Sequence, residues 1–186
     1  MMDLILWLDS HAWSTALHES LWAYPLIEST HVWTLAFFVG FAALLDIRLL
    51  GVSFGQVPVS EFYRKLMPWT VVSFVVMVVT GFLLFYAIPV RSYQNIFFRI
   101  KVVLLIVAGL NVFVFHRGIW KRVAEWDTVR RPPSSARRAA VASLALWAGI
   151  IICGRMIAYN WFDCDRQPQP AIINWLTSCD PTVELP

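Results

Sequence analysis

Residues 31–45 read HVWTLAFFVGFAALL, and His31 is the one ionisable side chain among them. Extended to Pro25 and Leu50, the segment is long enough to cross a hydrocarbon core of about 30 Å, which takes about 20 helical residues. Three more stretches of the same kind follow. Pro68–Ile88 reads PWTVVSFVVMVVTGFLLFYAI, and the span containing it is expected from about Met67 to Ile88. The third runs from about Ile96 to Phe115 and includes FFRIKVVLLIVAGLNVFVF. The fourth runs from about Ala139 to Trp161, AAVASLALWAGIIICGRMIAYNW. Backbone groups in lipid need internal partners, so spans like these are helical. The whole chain agrees: 59% of its 186 residues are hydrophobic and 15% charged, against about 25% charged in ordinary soluble domains. A soluble fold would leave much of that apolar surface in water, where large patches are rare. The expected fold is all-α, a single four-helix transmembrane bundle over residues 25–161.

The position of the charges gives an orientation. Ten Lys and Arg residues fall on one side: Arg48, Arg64, Lys65, Arg117, Lys121, Arg122, Arg130, Arg131, Arg137 and Arg138. Arg91 and Arg166 fall on the other, and Arg99, Lys101 and Arg155 within the spans. Short basic loops stay in the cytoplasm, so both ends are expected on the periplasmic side of a bacterial inner membrane. The net charge of +3 sits in two short loops rather than on a broad face, which argues against a nucleic-acid partner. The first residues carry Asp3 and Asp9 and no basic side chain, so the first span is expected to act as its own targeting signal.

Residues 1–24 read as an amphipathic helix lying at the interface. Ile5, Leu8, Ala12, Trp13, Ala16, Leu17 and Leu21 recur at helical spacing, with His11 and His18 on the polar face and Pro25 marking the end. The tail, residues 162–186, is polar and Pro-rich. An oxidising compartment favours pairing its Cys164 and Cys179, whereas Cys153 reads as packing.

Ionisable side chains inside a bilayer usually face partners or a cavity. An outer group combines Glu28 and His31, three apart on one face, with Arg155 and Tyr159, four apart, and Arg99 and Lys101 enter the third span from the same side. One reading is a redox site: His31 ligating a b-type haem iron or a copper ion, Glu28 fixing its tautomer, Arg155 holding a propionate or a quinone oxygen. His18 or His11 would supply a second ligand. The other reading is a buried Glu28–Arg155 pair beside a hydrogen-bonded His31, with no cofactor. An inner group holds Asp46, Arg48, Asn111 and His116. Its depth keeps His116 from sharing an iron with His31. There is no Cys-x-x-Cys-His, no Walker loop, no Gly-rich dinucleotide turn and no nucleophile elbow.

The segments IESTHVWTLAFFVGFAALLDIRLLG, LMPWT, VVTGFLLF, FRIKVVLLIVAGLNVFVFHR and LWAGIIICGRMIAYNW resemble an uncharacterised family of bacterial four-helix inner-membrane proteins, catalogued as a domain of unknown function. The resemblance implies the four-helix fold and no particular activity. The general plan is also similar to small membrane cytochromes b and to copper-resistance D-type proteins, a likeness of architecture. Three functions are therefore expected as alternatives. The first is a redox-linked subunit binding haem b or quinone through His31, Glu28 and Arg155. The second is a cofactor-free subunit anchored among other membrane or periplasmic subunits. The third is a copper-handling protein using His11, His18 and His31.

Overall fold

The computed structural model describes residues 2–159, 161–162, 164 and 168–179. Arg166, counted above for the charge distribution, lies outside the described residues. Two short helices, α1 (Met2–Asp9) and α2 (Ala12–Glu19), precede four helices long and apolar enough to span a membrane. These are α3 (Ala23–Leu50), α4 (Val59–Ala87), α6 (Ile96–Val114) with its continuation, and α8 (Ser134–Ile157). A short α5 (Pro89–Gln94) joins α4 to α6. A π turn at Phe115–Ile119, a 3-10 turn at Trp120–Arg122 and α7 (Val123–Trp126) prolong α6, and α9 (Ala171–Thr177) lies in the tail. The four long helices fit a multi-pass membrane protein.

Several boundaries differ from the sequence expectation, each for a local reason. The amphipathic segment breaks in two. Ser10 Oγ donates to the Trp7 carbonyl at 2.8 Å and His11 Nδ1 donates to the same oxygen at 2.7 Å. Side chains thus take over a carbonyl of the last turn of α1. Pro25 lies in the first turn of α3, where a missing N–H costs nothing. The second span begins at Val59, two turns before the expected Met67, so Pro68 is inside α4. Arg64 and Lys65 become helical, and Lys65 pairs with Glu61 at 2.7 Å. The fourth span starts directly after Pro132–Pro133 and ends at Ile157, which leaves Tyr159 and Trp161 beyond it.

In the bundle, α3 packs along α4 and α8, and α6 packs along α8. Side chains close the remaining side: Phe85 stacks on Phe98 at 5.3 Å near one end, and Tyr63 meets Trp120 at 4.3 Å near the other. Phe38, Met77, Ala108, Trp147 and Ile150 fill the middle layer, with Phe38 against the edge of Trp147 at 4.6 Å.

The two ends are built differently. The loop end is tied by polar groups. Gly51 ends α3 at φ 74°, and its N–H reaches the Arg48 carbonyl at 3.1 Å. A Cβ there would stand 2.8 Å from the Arg130 carbonyl oxygen, so only glycine lets the basic loop sit down. Arg48 is 0% exposed; its Nε donates to the Val57 carbonyl at 2.9 Å, and Nη2 reaches those of Val129 at 3.4 Å and Asp127 at 3.5 Å. The Asp127 carboxylate accepts from Ser60 N at 2.7 Å and Ser60 Oγ at 2.6 Å. It caps α4 from 67 residues away.

The terminal end carries α1, α2, α5 and the tail. Ser14, buried, donates from Oγ to the Tyr86 carbonyl at 2.8 Å and so pins α2 onto α4. Asn95 caps α6 through Phe97 N at 3.0 Å and Phe98 N at 3.3 Å. Cys164 and Cys179 form a disulfide. Arg99 reaches from α6 to the end of α9, donating to the carbonyls of Leu176 and, at 3.1 Å, Thr177. Exposed Trp7, Trp13, Trp22, Trp33, Trp161 and Trp175 ring this end, as interfacial tryptophans do at headgroup level.

Candidate functional site

His31 stands on the inner side of α3, two turns from its start. Its ring presses on α4 where Gly81 leaves room, since a Cβ there would stand 3.1 Å from His31 Cε1. Nδ1 lies 2.9 Å from the Met77 carbonyl and 3.0 Å from Thr80 Oγ1. A carbonyl only accepts, so Nδ1 carries the hydrogen and donates. Thr80 spends its own hydroxyl hydrogen on the Val76 carbonyl at 2.7 Å, which leaves its oxygen free to accept. In the neutral ring this fixes Nε2 as an acceptor, and Nε2 makes no hydrogen bond to a described residue. A ring nitrogen anchored on a backbone carbonyl is also how proteins hold a working imidazole in one tautomer.

The cation that acts on His31 through space is Lys101 on α6. The Lys101 ammonium abuts α8 at Gly154, 3.7 Å from where a Cβ would stand, beside the buried thiol of Cys153. It forms no ion pair or hydrogen bond to a described residue. All four spans meet at one level: α3 supplies His31, α4 supplies Met77, Thr80 and Gly81, α6 supplies Lys101, and α8 supplies Cys153 and Gly154. Each lies in the half of its helix nearer the terminal end.

The rest of the expected outer group does not converge there. Glu28 is exposed and lies near Tyr24. Arg155 is exposed, with its guanidinium 5.1 Å from the centre of the Tyr159 ring. Glu28 and Arg155 make no ion pair with each other, and the tautomer of His31 is set by Met77 and Thr80 rather than by Glu28. His11 is turned back on Trp7, their rings 4.3 Å apart, and exposed His18 meets the edge of Tyr24 at 5.7 Å. The break between α1 and α2 removes the common face that their seven-residue spacing implied. Among the described residues, no three His, Cys, Asp or Glu side chains gather as a metal set, so His11, His18 and His31 do not form one.

The inner group also disperses. Asn111 Nδ2 donates to the Ala139 carbonyl at 3.0 Å. His116 donates from Nδ1 to the Val112 carbonyl at 2.8 Å and accepts from the Tyr63 hydroxyl at Nε2, 2.9 Å away. His31 and His116 therefore meet α4 at Met77 and Tyr63. Those positions are about 20 Å apart at about 1.5 Å per residue, so the two rings do not share a ligand. A groove along α4 at Tyr63, Arg64, Met67 and Pro68, and another at Gly118, Arg122, Pro133 and Ser135, touch neither His31 nor Lys101.

Sequence reasoning put Lys101 on the same side of the membrane as His31 but gave it no role at the site. The available signal was spacing: Arg99 and Lys101 are two apart, and such residues leave a helix in different directions. One of them was bound to face the interior.

The chain belongs to DUF6644, a family of unknown function, whose pattern matches residues 20–160. That match spans all four long helices and the whole His31–Lys101 site. No curated protein and no solved structure matches the chain.

Proposed function

We propose that this chain is a redox-linked membrane subunit that holds the headgroup of a lipid-soluble quinol or quinone between His31 and Lys101. The observation that carries the reading is the presence, at one level of an apolar bundle, of an acceptor, His31 Nε2, and a cation, Lys101, neither of which has a partner there among the described residues. Intramembrane ionisable residues without a structural partner are functional candidates by default. A hydroquinone hydroxyl donates to His31 Nε2, and its oxygen accepts from the Lys101 ammonium. As the hydroxyl proton passes to Nε2, Lys101 offsets the charge left on the quinol oxygen. Electrons leave to a redox group on a partner subunit.

We place the terminal end in the periplasm and the basic loops in the cytoplasm of a bacterial inner membrane. The Lys and Arg distribution supports this, and so does the Cys164–Cys179 disulfide at the terminal end. Haem b fits the site less well. His31 offers one axial nitrogen, and His11 is engaged with Trp7. Copper fits less well too, because no three His, Cys, Asp or Glu side chains gather around His31 among the described residues. A cofactor-free anchoring subunit is the second reading, favoured by the exposed apolar residues Ile172 and Trp175 on α9.

The test is titration of a short-chain ubiquinone analogue into the full chain in lipid nanodiscs, read by tryptophan quenching. A hydrogen bond to a charged group contributes about 1.5–3 kcal/mol. Lys101→Met should therefore weaken binding roughly 10- to 100-fold, His31→Ala should weaken it also, and Arg155→Ala should leave it unchanged. Equal binding by all four proteins would refute the site. A colourless chain that binds no analogue but retains partner proteins would favour the anchoring role.

A further inference from the structure

Asp46 is a buried acid that the His31–Lys101 site does not use. It lies one turn before the end of α3, is 7% exposed, and its Oδ2 is sealed from solvent with no hydrogen-bond partner. The hydroxyl of Ser143 on α8 approaches the carboxyl. One turn away on α8, the Ala139 carbonyl is taken by Asn111 from α6. Two spans, α6 and α8, thus bring neutral polar groups to the level of Asp46 on α3. Neither brings a cation: among the described residues, no Lys, Arg or His nitrogen lies within 4.0 Å of Asp46.

No charged or titratable group nearby pairs with Asp46 among the described residues, although Arg48 Nη1 is also buried without a partner. Arg48 is two residues further along α3, and residues so spaced do not face each other. Its guanidinium is turned into the loops at Val57, Asp127 and Val129. Asp127 is occupied by Ser60. From the continuation of α6 comes His116, which is bonded to Tyr63 of α4. Arg137 and Arg138, at the start of α8, make no ion pair with Asp46. A carboxylate kept from water with no counter-ion costs several kcal/mol. A carboxylic acid in the same place costs far less, and proteins resolve such burial by neutralising the group.

We propose that Asp46 is an intramembrane proton-binding site: its buried carboxyl holds a proton in the packed bundle, exchanged with the basic, loop-end side of the membrane. The position favours exchange at that end, because four residues of α3, about 6 Å, separate Asp46 from Leu50. In the other direction the apolar layer of Phe38, Met77, Ala108, Trp147 and Ile150 intervenes. His31 is 15 residues away along α3, about 22 Å, so this proposal stands without the quinone reading.

The test is infrared spectroscopy of the full chain in nanodiscs at neutral pH, read at the carbonyl stretch of a protonated carboxylic acid. The wild type should show one such band, shifted down in heavy water. Asp46→Asn, which keeps the shape, should lose it, and Glu28→Gln should retain it. Asp46→Glu should move the band rather than abolish it, which covers the case in which the asparagine variant does not fold. Absence of the band from the wild type, or a band that survives unchanged in Asp46→Asn or Asp46→Glu, would overturn the proposal. An ionised Asp46 holding a metal cation gives the first of these results.

Discussion

Four glycines inside the spans test the geometry of the His31–Lys101 site without touching a polar residue. A Cβ at Gly40 or Gly109 would meet nothing within 4 Å, and one at Gly154 would make an ordinary contact of 3.7 Å with Lys101 Nζ. Glycine in a helix interior is less stable than alanine by about 0.5–1 kcal/mol. In a chain of this size, 1 kcal/mol moves the melting temperature by about 2–4 °C. Alanine at positions 40, 109 and 154 should therefore each raise Tm by about 1–4 °C and leave binding of the quinone analogue unchanged. At Gly81 the new methyl would stand 3.1 Å from His31 Cε1 and 3.6 Å from Nδ1, so the ring must give by a few tenths of an ångström. That movement lengthens the 2.9 Å bond to the Met77 carbonyl. A hydrogen bond of this kind contributes a net 0.5–1.5 kcal/mol or so, enough to cancel the helical gain. Gly81→Ala should show no rise in Tm and bind the analogue roughly 2- to 10-fold more weakly. Thermal unfolding in mild detergent and fluorescence titration give both readouts. If Gly81→Ala gains stability as Gly40→Ala does and binds as tightly as the wild type, His31 does not rest on Gly81 and the site is wrongly drawn.

Four further outcomes follow from the two ends of the bundle. Asp127→Ala removes the cap on α4, bonds of 2.7 and 2.6 Å; it should cost about 1–2 kcal/mol in thermal unfolding, with Ser60→Ala costing less because the backbone bond remains. Gly51→Ala should cost more than 1 kcal/mol or so, since φ is 74° and the Arg130 carbonyl would lie 2.8 Å from the methyl. Replacing Cys164 and Cys179 by serine opens a loop of 15 residues and should lower stability by about 3 kcal/mol, with faster protease cleavage of the tail. A cysteine introduced at Ser53 should react with an impermeant maleimide in inverted vesicles and not in right-side-out cells, and the reverse would invert the orientation.

The four spans were legible because each announces itself by composition over some 20 residues, which no local detail can cancel. Their ends were less so. At Pro68 the sequence reads as a helix start, yet α4 begins at Val59, where Asp127 supplies a cap from a distant loop. No window of sequence around Val59 contains that residue. The break at Ser10–His11 was hidden for a related reason. Apolar periodicity runs through it, and what interrupts α1 is competition by two side chains for the Trp7 carbonyl.

Depth could be counted along each span, but direction could not, and the polar site turns on direction. Arg99 and Lys101 entered the reading together as two charges of α6. One turns outward to the end of α9 and over the Tyr93 ring, 4.4 Å from its centre; the other turns to α8 at Gly154. Arg155 and Lys101 likewise lie at similar depth on neighbouring helices, yet Arg155 leans on Tyr159 outside while Lys101 points at Gly154. Packing decides how His31 is seated: a Cβ at Gly81 would crowd its Cε1 at 3.1 Å, so the imidazole lies where α4 carries no side chain, whereas Lys101 leaves ordinary room at Gly154. The candidate site is thus its two polar groups together with one position, Gly81, that carries no side chain at all. Spacing along the chain picks out His31 and the charges around it, and packing alone settles the direction in which each of them points.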